Sequence, residues 1–415
     1  MRATKSDLLA AIDRDRDEII AFLSGFVQAK SPNPPGDTRG AIGYLTRFLE
    51  AEDLPFRLLA PEPTMPNIIG TFEGGAGRGR HLVLNGHVDV FPVDATERWA
   101  YDPWSGAIAE GKIWGRGVAD MKAGTSASVF TYRYLYRVRA ALKGKLTLTC
   151  VSDEETFGPW GARWLIEHEP EVLGDCCLNG EPSSPLTVRF GEKAPLWLRV
   201  TVRTAGAHGA YTHASASATK LAAEIIQQLE TLTGIPTPAP PAVAKALAEG
   251  TAAMEAAMGG GAARIAQQVT LNIGRIEGGL KVNMIPGVCT FEADVRLPLG
   301  YEKEHVLPHI RAILARYPQA TLEEITATKP CWCDPFGPMM GIIRANVKAL
   351  RGFEPSPAVS LGGTDARLWR QRGIPAYVYG PFPTGMGSKD EAVMIDDYLH
   401  VVRTHVLSAF DYLTS

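Results

Sequence analysis

Four short segments, rich in carboxylates and glycine, carry residue types that could perform chemistry. They are Asn85-Gly86-His87-Val88-Asp89, the stretch from Gly115 to Lys122, Ser152-Asp153-Glu154-Glu155 and Asn179-Gly180-Glu181-Pro182. Together they supply one imidazole and several carboxylates, a set of ligands that suits zinc, manganese or cobalt. Glycine beside them lets the backbone approach a bound group closely. Taken singly, a histidine such as His87 is more often a hydrogen-bonded loop residue than a metal ligand. The four segments together indicate a metal site, and their spacing alone indicates nothing more specific.

Each segment lies at or just beyond a predicted strand end, which is where open α/β sheets place their ligands. The hydrophobic pattern predicts strands over 81–85 and 145–151, with a helix over 122–141 between them. This alternation predicts an α/β sheet with parallel strands.

The pattern changes at about residue 195. Strands over 196–204, 270–276 and 288–297, with helices over 218–232 and 305–317, predict a small α+β module. A chain of 415 residues also exceeds what one core usually serves. We therefore expect a catalytic domain over 1–194 and 329–415, interrupted by a second domain over 195–328. The Pro-, Ala- and Gly-rich segment 236–262 predicts a flexible flap on that inserted domain.

Composition excludes several classes of partner. The net charge is -3, and without a long basic run there is no electrostatic basis for binding nucleic acid or a membrane surface. The N-terminus lacks the apolar core of a secretory signal, so a cytoplasmic protein is expected. Its six cysteines are expected to be reduced thiols.

The four segments, together with Trp99 and Pro103, resemble the metallopeptidase family that includes acetylornithine deacetylase, succinyl-diaminopimelate desuccinylase, aminoacylase and glutamate carboxypeptidase. The resemblance extends from about residue 60 to the C-terminus. It implies a zinc-exopeptidase-like mixed sheet flanked by helices, with an inserted ferredoxin-like lid and dimerisation domain. It also implies a metal-dependent hydrolase of an amide-type C–N bond in a small substrate, such as an N-acyl amino acid deacylase or an exopeptidase.

The resemblance implies a set of metal ligands. His87, Asp120 and Glu181 would hold one metal, and Asp120 would bridge to a second metal that Glu155 also binds. Asp89 would accept a hydrogen bond from the His87 ring and fix its tautomer.

The same resemblance implies roles for residues that act on the substrate. Glu154 would be the general base, taking a proton from a water activated by the metal and returning it to the leaving nitrogen. His208, on the lid, would donate to the oxyanion across the boundary of a homodimer. Asn283 and Arg367 would position the substrate, with the guanidinium able to grip a carboxylate.

One position departs from the family pattern. Family members complete the metal site with a histidine shortly after a Gly-Pro pair, and aligning Gly380-Pro381 with that pair places Gly387 at the ligand position. Asp390 is the nearest carboxylate and would reach the metal only if the loop were rearranged. Three protein ligands remain, the number typical of a catalytic zinc with an open position. One divalent ion is therefore favoured over two, with zinc preferred to manganese or cobalt.

Two alternatives stay open. The single-metal centre could hydrolyse another C–N bond, such as that of an aryl amine or a carbamate. The loss of the histidine also allows a degenerate member that binds a small molecule without turnover.

Overall fold

The computed structural model describes residues 4–415. Its α-helices are α1 (Lys5–Arg14), α2 (Arg16–Gln28), α3 (Arg39–Ala51), α4 (Ala123–Arg137), α5 (Ala162–His168), α6 (Ala218–Leu229), α7 (Pro241–Met258), α8 (Ala262–Ile265), α9 (Lys303–Leu314), α10 (Pro338–Arg351), α11 (Ala366–Arg370) and α12 (Ile395–Thr414). Its strands are β1 (Arg57–Leu59), β2 (Asn67–Glu73), β3 (His81–His87), β4 (Ala107–Ala109), β5 (Lys112–Trp114), β6 (Lys145–Val151), β7 (Cys176–Asn179), β8 (Thr187–Glu192), β9 (Ala194–Arg203), β10 (Ala207–His208), β11 (Thr270–Gly278), β12 (Met284–Ile285), β13 (Val288–Leu297), β14 (Ala320–Ala327), β15 (Cys331–Trp332), β16 (Ser356–Ser360), β17 (Ala376–Val378) and β18 (Ala392–Met394).

A nine-stranded mixed sheet forms the centre of the catalytic part, in the order β1-β2-β6-β3-β7-β17-β8-β15 with β16 beside β8. Strand β3 runs parallel to both β6 and β7, and almost all of its side chains are buried. Burial on both faces is expected where helices cover both sides of a parallel sheet. Helices α4, α10 and α12 contribute to one core, and α5 and α11 to another. The predicted α/β fold is confirmed.

The inserted region contains a four-stranded antiparallel sheet in the order β11-β13-β9-β14. The predicted antiparallel pairing of the second and third strands of this module is present, with Thr270 opposite Arg296. Side chains of β9 and β13 alternate between buried and partly exposed, as in a sheet with one covered face. Helices α6 and α9 cover that face and form a separate core. The expected domain boundaries at 194/195 and 328/329 stay a prediction.

Segment 236–262 differs from the expected flexible flap, and that prediction is wrong. Helix α7 occupies most of it and buries Val243, Leu247 and Met254 in the same core as the catalytic sheet. The helix lies so close to β16 that a Cβ atom on Gly250 would be 2.1 Å from the carbonyl oxygen of Pro357. Alanine is the best helix former, and here the small residues build a packed helix face.

Two other features concern the cysteines and the helices. All six cysteines are free thiols, as predicted. Within residues 4–415, no helix combines the length and apolar character that crossing a membrane requires.

Candidate metal centre

Three side chains from separate parts of the sequence converge on one point. His87 Nε2 lies 3.3 Å from Asp120 Oδ1 and 3.3 Å from Glu181 Oε1. One ligand atom from each residue lies within 4.8 Å of the other two. All three side chains are buried or nearly so, with side-chain exposures of 0% for His87, 14% for Asp120 and 6% for Glu181. The arrangement can hold a metal ion.

The parallel sheet explains why His87 and Glu181 meet, with Glu154 beside them. His87 ends β3, Glu181 follows the end of β7, and Glu154 follows the end of β6. These three strands are parallel neighbours, so their carboxyl ends meet at one edge of the sheet.

The His87 ring is oriented from its other nitrogen. His87 Nδ1 donates to the backbone carbonyl oxygen of Asp89 at 2.9 Å, whereas the nearer Asp89 carboxylate oxygen is 3.5 Å away. The closer acceptor is thus the Asp89 carbonyl rather than the carboxylate expected from the resemblance. Either acceptor fixes the proton on Nδ1 and leaves Nε2 free to bind a cation.

The Asp89 carboxylate organises the neighbouring acidic loop instead. It accepts hydrogen bonds from the backbone amides of Glu154 at 3.2 Å and Glu155 at 3.1 Å. Asn33 Nδ2 donates to the same carboxylate at 2.9 Å and to Asp153 Oδ1 at 3.2 Å. The loop that carries Glu154 is therefore fixed relative to the His87 strand.

A second buried carboxylate, Glu391, positions Asp120. It accepts hydrogen bonds from the backbone amides of Gly117, Ala119 and Asp120 and from Arg116 Nη1, at 2.9 to 3.2 Å. Backbone amides that point at one carboxylate hold a loop firmly, because each would be costly to leave unpaired in the interior. Glu391 thus fixes the loop that carries Asp120.

The electrostatics of the cluster fit a cation. Burial and the nearby Asp120 together raise the pKa of Glu181 to about 8, although His87 acts in the opposite direction. Burial also raises the pKa of Glu155 well above its usual range, and the charge of Asp120 adds to this effect. Glu155 Oε1 is buried without a hydrogen-bond partner among the described residues. A divalent ion would relieve this crowded negative charge. Glu155 is not part of the group whose ligand atoms meet within 4.8 Å, which consists of His87, Asp120 and Glu181.

Glu154 lies beside the ligand cluster and forms an ion pair with a buried arginine. Its Oε1 atom lies 3.4 Å from Arg367 Nη1, and both side chains are less than 10% exposed. Arg367 also donates to the carbonyl oxygen of Thr364 at 2.6 Å, and its guanidinium stacks over the ring of Phe157. Arg367 thus holds Glu154 in place.

A cavity of about 650 Å³ opens onto the ligand cluster and is lined by Asp120 and Glu181. Its other walls come from the loop after β16, the loop after β17 and the C-terminal end of α7. The size is that of a small-molecule site.

The loop around Gly387 supplies no replacement for the missing histidine. Gly387 has φ +71°, and a Cβ atom there would lie 3.1 Å from the ring of Phe91. Asp390 Oδ1 accepts a hydrogen bond from the backbone amide of Ala100 at 2.7 Å, so this carboxylate is engaged elsewhere.

His208 and Asn283 lie together on the lid. The backbone amide of Gly209 donates to the carbonyl oxygen of Asn283 at 2.7 Å, and both predicted residues are exposed. The Nδ1 atom of His208 accepts from the amide of Ala210. Neither residue is among those described as lining the cavity beside Asp120 and Glu181. Within one chain, the structure does not bring them to the ligand cluster.

Sequence reasoning missed Asn33, Glu391 and Arg189, a cavity residue on β8. Asn33 lies in the Pro-rich stretch Ser31 to Gly36, which indicated only the end of a helix. Glu391 lies four residues after Gly387, and nothing in its local sequence marks it as a partner of the Asp120 loop. Arg189 had no signal beyond being a charged residue in a short strand that also contains Glu192.

The family assignment follows from a comparison with known proteins. The model of peptidase family M20/M25/M40 matches residues 83–409, more than half of the chain. The chain belongs to this family. The membership confirms that the protein is a hydrolase acting on carbon–nitrogen bonds.

Two relatives of this M20/M25/M40 member are named for different activities. A succinyl-diaminopimelate desuccinylase of Cereibacter sphaeroides is 26% identical over 388 residues, covering 91% of this chain and 94% of that protein. An N-formyl-4-amino-5-aminomethyl-2-methylpyrimidine deformylase of Halalkalibacterium halodurans is 29% identical over 235 residues. That match spans 54% of this chain and only about half, 55%, of the deformylase.

Solved structures share the fold of this member of the M20/M25/M40 family. A metallo-carboxypeptidase of the family from Sulfolobus solfataricus superposes with a TM-score of 0.78 at 17% identity, covering 96% of this chain and 100% of that one. Human carnosine dipeptidase 1 gives a TM-score of 0.72 at 14% identity, with 99% and 100% coverage. A Bacillus subtilis peptidase described as dinuclear metal-binding gives 0.67 at 17% identity, with 97% and 99% coverage. At these identities the likeness establishes the fold.

Proposed function

We propose that the protein hydrolyses the amide bond of a small substrate, an N-acyl amino acid or a short peptide, with Glu154 as general base. The observation that carries this proposal is the convergence of His87, Asp120 and Glu181 within 4.8 Å, open to a cavity of substrate size. Desuccinylase and deformylase activities of the curated relatives also belong to amide hydrolysis.

His87, Asp120 and Glu181 would hold a divalent cation, with zinc preferred for a site of one nitrogen and two oxygen ligands. Such a cation would polarise the amide carbonyl and increase the acidity of water beside it. Glu155 Oε1, buried without a partner, is a candidate additional ligand. Gly387 offers no side chain, which supports one bound ion rather than two.

Glu154 is suited to carry a proton during the reaction. Burial raises its pKa well above the usual range, although His87 and Arg367 act in the opposite direction. A carboxylate in this environment takes a proton from the attacking water at Oε1 or Oε2 and gives it to the departing nitrogen. Arg367, 3.4 Å from Oε1, restricts where Glu154 can move.

The test replaces Glu154 with glutamine, which preserves shape and removes the proton acceptor. We expect kcat on the best substrate from a panel of N-acyl amino acids and dipeptides to fall by about 10² to 10⁴, as for other general bases. Zinc content, measured by mass spectrometry, should be unchanged. Glu167→Gln, on the exposed face of α5, is the matched control and should retain wild-type kcat.

Three other outcomes would contradict the proposal. Unchanged turnover in Glu154→Gln would remove Glu154 as the base. Turnover of aryl amines or carbamates, without turnover of the panel, would favour hydrolysis of another C–N bond. The single-metal site is the reason for considering that alternative. Ligand binding without product formation by the wild-type protein would indicate a binding protein.

We also propose that the protein is a homodimer assembled through the lid, in which His208 serves the partner's site. Leu280 is 92% exposed and Val282 is fully exposed, and both are apolar residues next to Asn283. An exposed apolar patch beside an edge strand, here β11, is typical of an interface. His208 then lies on a surface from which it can reach another copy.

A mixing experiment tests this proposal. Glu154→Gln and His208→Ala are each expected to be nearly inactive, yet a refolded mixture should recover up to about a quarter of wild-type activity, because a mixed dimer contains one intact site. If His208 acted within its own chain, mixing would restore nothing. Sedimentation velocity on the wild-type protein gives the oligomeric state, and a monomer would overturn the dimer.

A further inference from the structure

The cavity beside the metal ligands contains a buried guanidinium with unused hydrogen-bonding capacity. Arg189, on β8, is 9% exposed and lines the cavity together with Asp120 and Glu181. Its Nη1 atom donates to Ser360 Oγ at 3.3 Å, and Ser360 is a lining residue as well. Its Nε atom is buried and has no partner among the described residues. A buried, unpaired donor on a charged group is costly, and Arg189 lines the cavity, so an anionic ligand there would offset part of that cost.

Two other buried arginines of the region, Arg367 and Arg370, are each paired with a carboxylate. Arg367 is bound to Glu154 and to the carbonyl oxygen of Thr364. Arg370 is bound to Glu192 at 3.0 Å and to the carbonyl oxygen of Ala376 at 2.9 Å. Arg189 is the cavity residue that combines a positive charge with a free N–H group in the described structure.

The charges around Arg189 also favour a negatively charged ligand. Burial lowers the pKa of Arg189 to about 10, and Glu181, Asp120 and Glu192 oppose that shift. Asp120 and Glu181 are the proposed ligands of a divalent cation, and Glu192 already receives hydrogen bonds from Thr364 and Arg370. With a cation bound, the charges of Asp120 and Glu181 that balance Arg189 would be largely neutralised. A negatively charged group on the ligand would then restore the balance.

The remaining lining is mainly apolar. The end of α7, at Ala256 to Gly259, forms one wall, and Leu361, Phe382 and Met386 form others. Helix α7 belongs to the inserted stretch of sequence but packs on the catalytic sheet, so this wall is part of the same packed core as that sheet. The pocket therefore has one cationic side chain, Arg189, in a mainly apolar lining, with the proposed metal ligands at its edge.

We propose that Arg189, supported by Ser360, binds a carboxylate of the substrate, and that the end of α7 packs against an apolar part of the same molecule. The inference rests on the proposed amide hydrolysis and assigns its specificity. The preferred substrate is an amide whose free carboxylate reaches β8 while the scissile bond lies at the His87 cluster. Arg189 is a specificity-determining residue in this scheme, not part of proton transfer.

The kinetic experiment compares each N-acyl amino acid that the zinc-loaded enzyme turns over with its C-terminal carboxamide. We expect the wild-type protein to prefer the acid by about 10- to 100-fold in kcat/KM, the range for a hydrogen bond to a charged group. Arg189→Met should remove most of this preference by raising KM for the acid, with the carboxamide little affected. Arg189→Lys should retain part of it. Arg344→Met is the matched control, since Arg344 binds Glu249 of α7 outside the cavity.

A binding experiment separates this inference from the proposed reaction. Thermal melting of the zinc-loaded protein is measured with each acid and each carboxamide, which requires no turnover. Greater stabilisation by an acid in the wild type, lost in Arg189→Met but not in Arg344→Met, supports the carboxylate site even if no panel member is hydrolysed. Equal stabilisation by acids and carboxamides, or an acid preference that survives in Arg189→Met, overturns it. Loss of zinc from Arg189→Met would assign the arginine to charge balance of the metal site and also overturn it.

Discussion

Helix α7 lies against β16 only because residue 250 has no side chain, and Gly250→Ala tests this packing directly. A Cβ atom at this position would be 2.1 Å from the carbonyl oxygen of Pro357, a backbone atom that cannot rotate away. Ordinary contact begins near 3.4 Å, so the helix must move by about 1.3 Å, the difference between these two distances. The movement would also displace the end of α7 that lines the cavity.

Two opposing effects set the magnitude. Alanine in place of glycine inside a helix stabilises it by about 1 kcal/mol. Forcing extra volume into a packed interior costs about 1 to 3 kcal/mol. We therefore expect Gly250→Ala to lower the free energy of unfolding by about 0 to 2 kcal/mol. Gly341, in α10, is the matched control: a Cβ atom there would have no neighbour within 4 Å. Gly341→Ala should gain only the higher helix propensity of alanine and raise the free energy of unfolding by about 1 kcal/mol.

Urea unfolding, followed by circular dichroism, measures both variants. The expected result is a Gly250→Ala midpoint below that of Gly341→Ala, by the equivalent of about 1 to 3 kcal/mol. Equal stabilisation by the two substitutions would refute the close approach of α7 to β16. The cavity wall built from the end of α7 would then be wrong as well.

Further predictions concern the metal site and its cavity. Glu391→Ala removes the acceptor of the amides that hold Asp120, and zinc affinity should fall by about 10- to 100-fold in a chelator competition, the usual effect of losing such support. Elemental analysis of the wild-type protein should give a zinc content closer to one ion per chain than to two. Two ions per chain would contradict the argument that Gly387 leaves the site with a single metal. Chelation should abolish turnover, and added zinc should restore it; activity that survives full chelation would remove the metal from the mechanism. Ala256→Trp should reduce kcat/KM for bulky substrates more than for small ones, because Ala256 lines the cavity; a uniform change would indicate that α7 does not contact substrate.

The residues at the strand ends could be predicted from sequence because the reasoning is local. His87, Glu154 and Glu181 each follow a short apolar run, and parallel neighbouring strands necessarily end at a common edge. The antiparallel strand pair of the inserted region was predictable for a similar reason, since alternating burial is visible in the residues themselves.

Tertiary structure alone decided how α7 and Glu391 contribute. The alanine-rich composition of α7 fits an exposed flap as well as a packed helix, and only the approach to Pro357 distinguishes them. Glu391 lies 275 residues from the Arg116 side chain that it binds, so no local pattern could reveal the contact.

Arg189 shows the same limit most clearly. The sequence of β8 places a charge in a buried strand, but whether that charge is paired or faces a cavity depends on side chains from β16, β17 and α7. Local patterns determine which residues end strands and which faces are apolar. The positions of long-range partners, which decide whether a buried charge is satisfied, exist only in the folded chain.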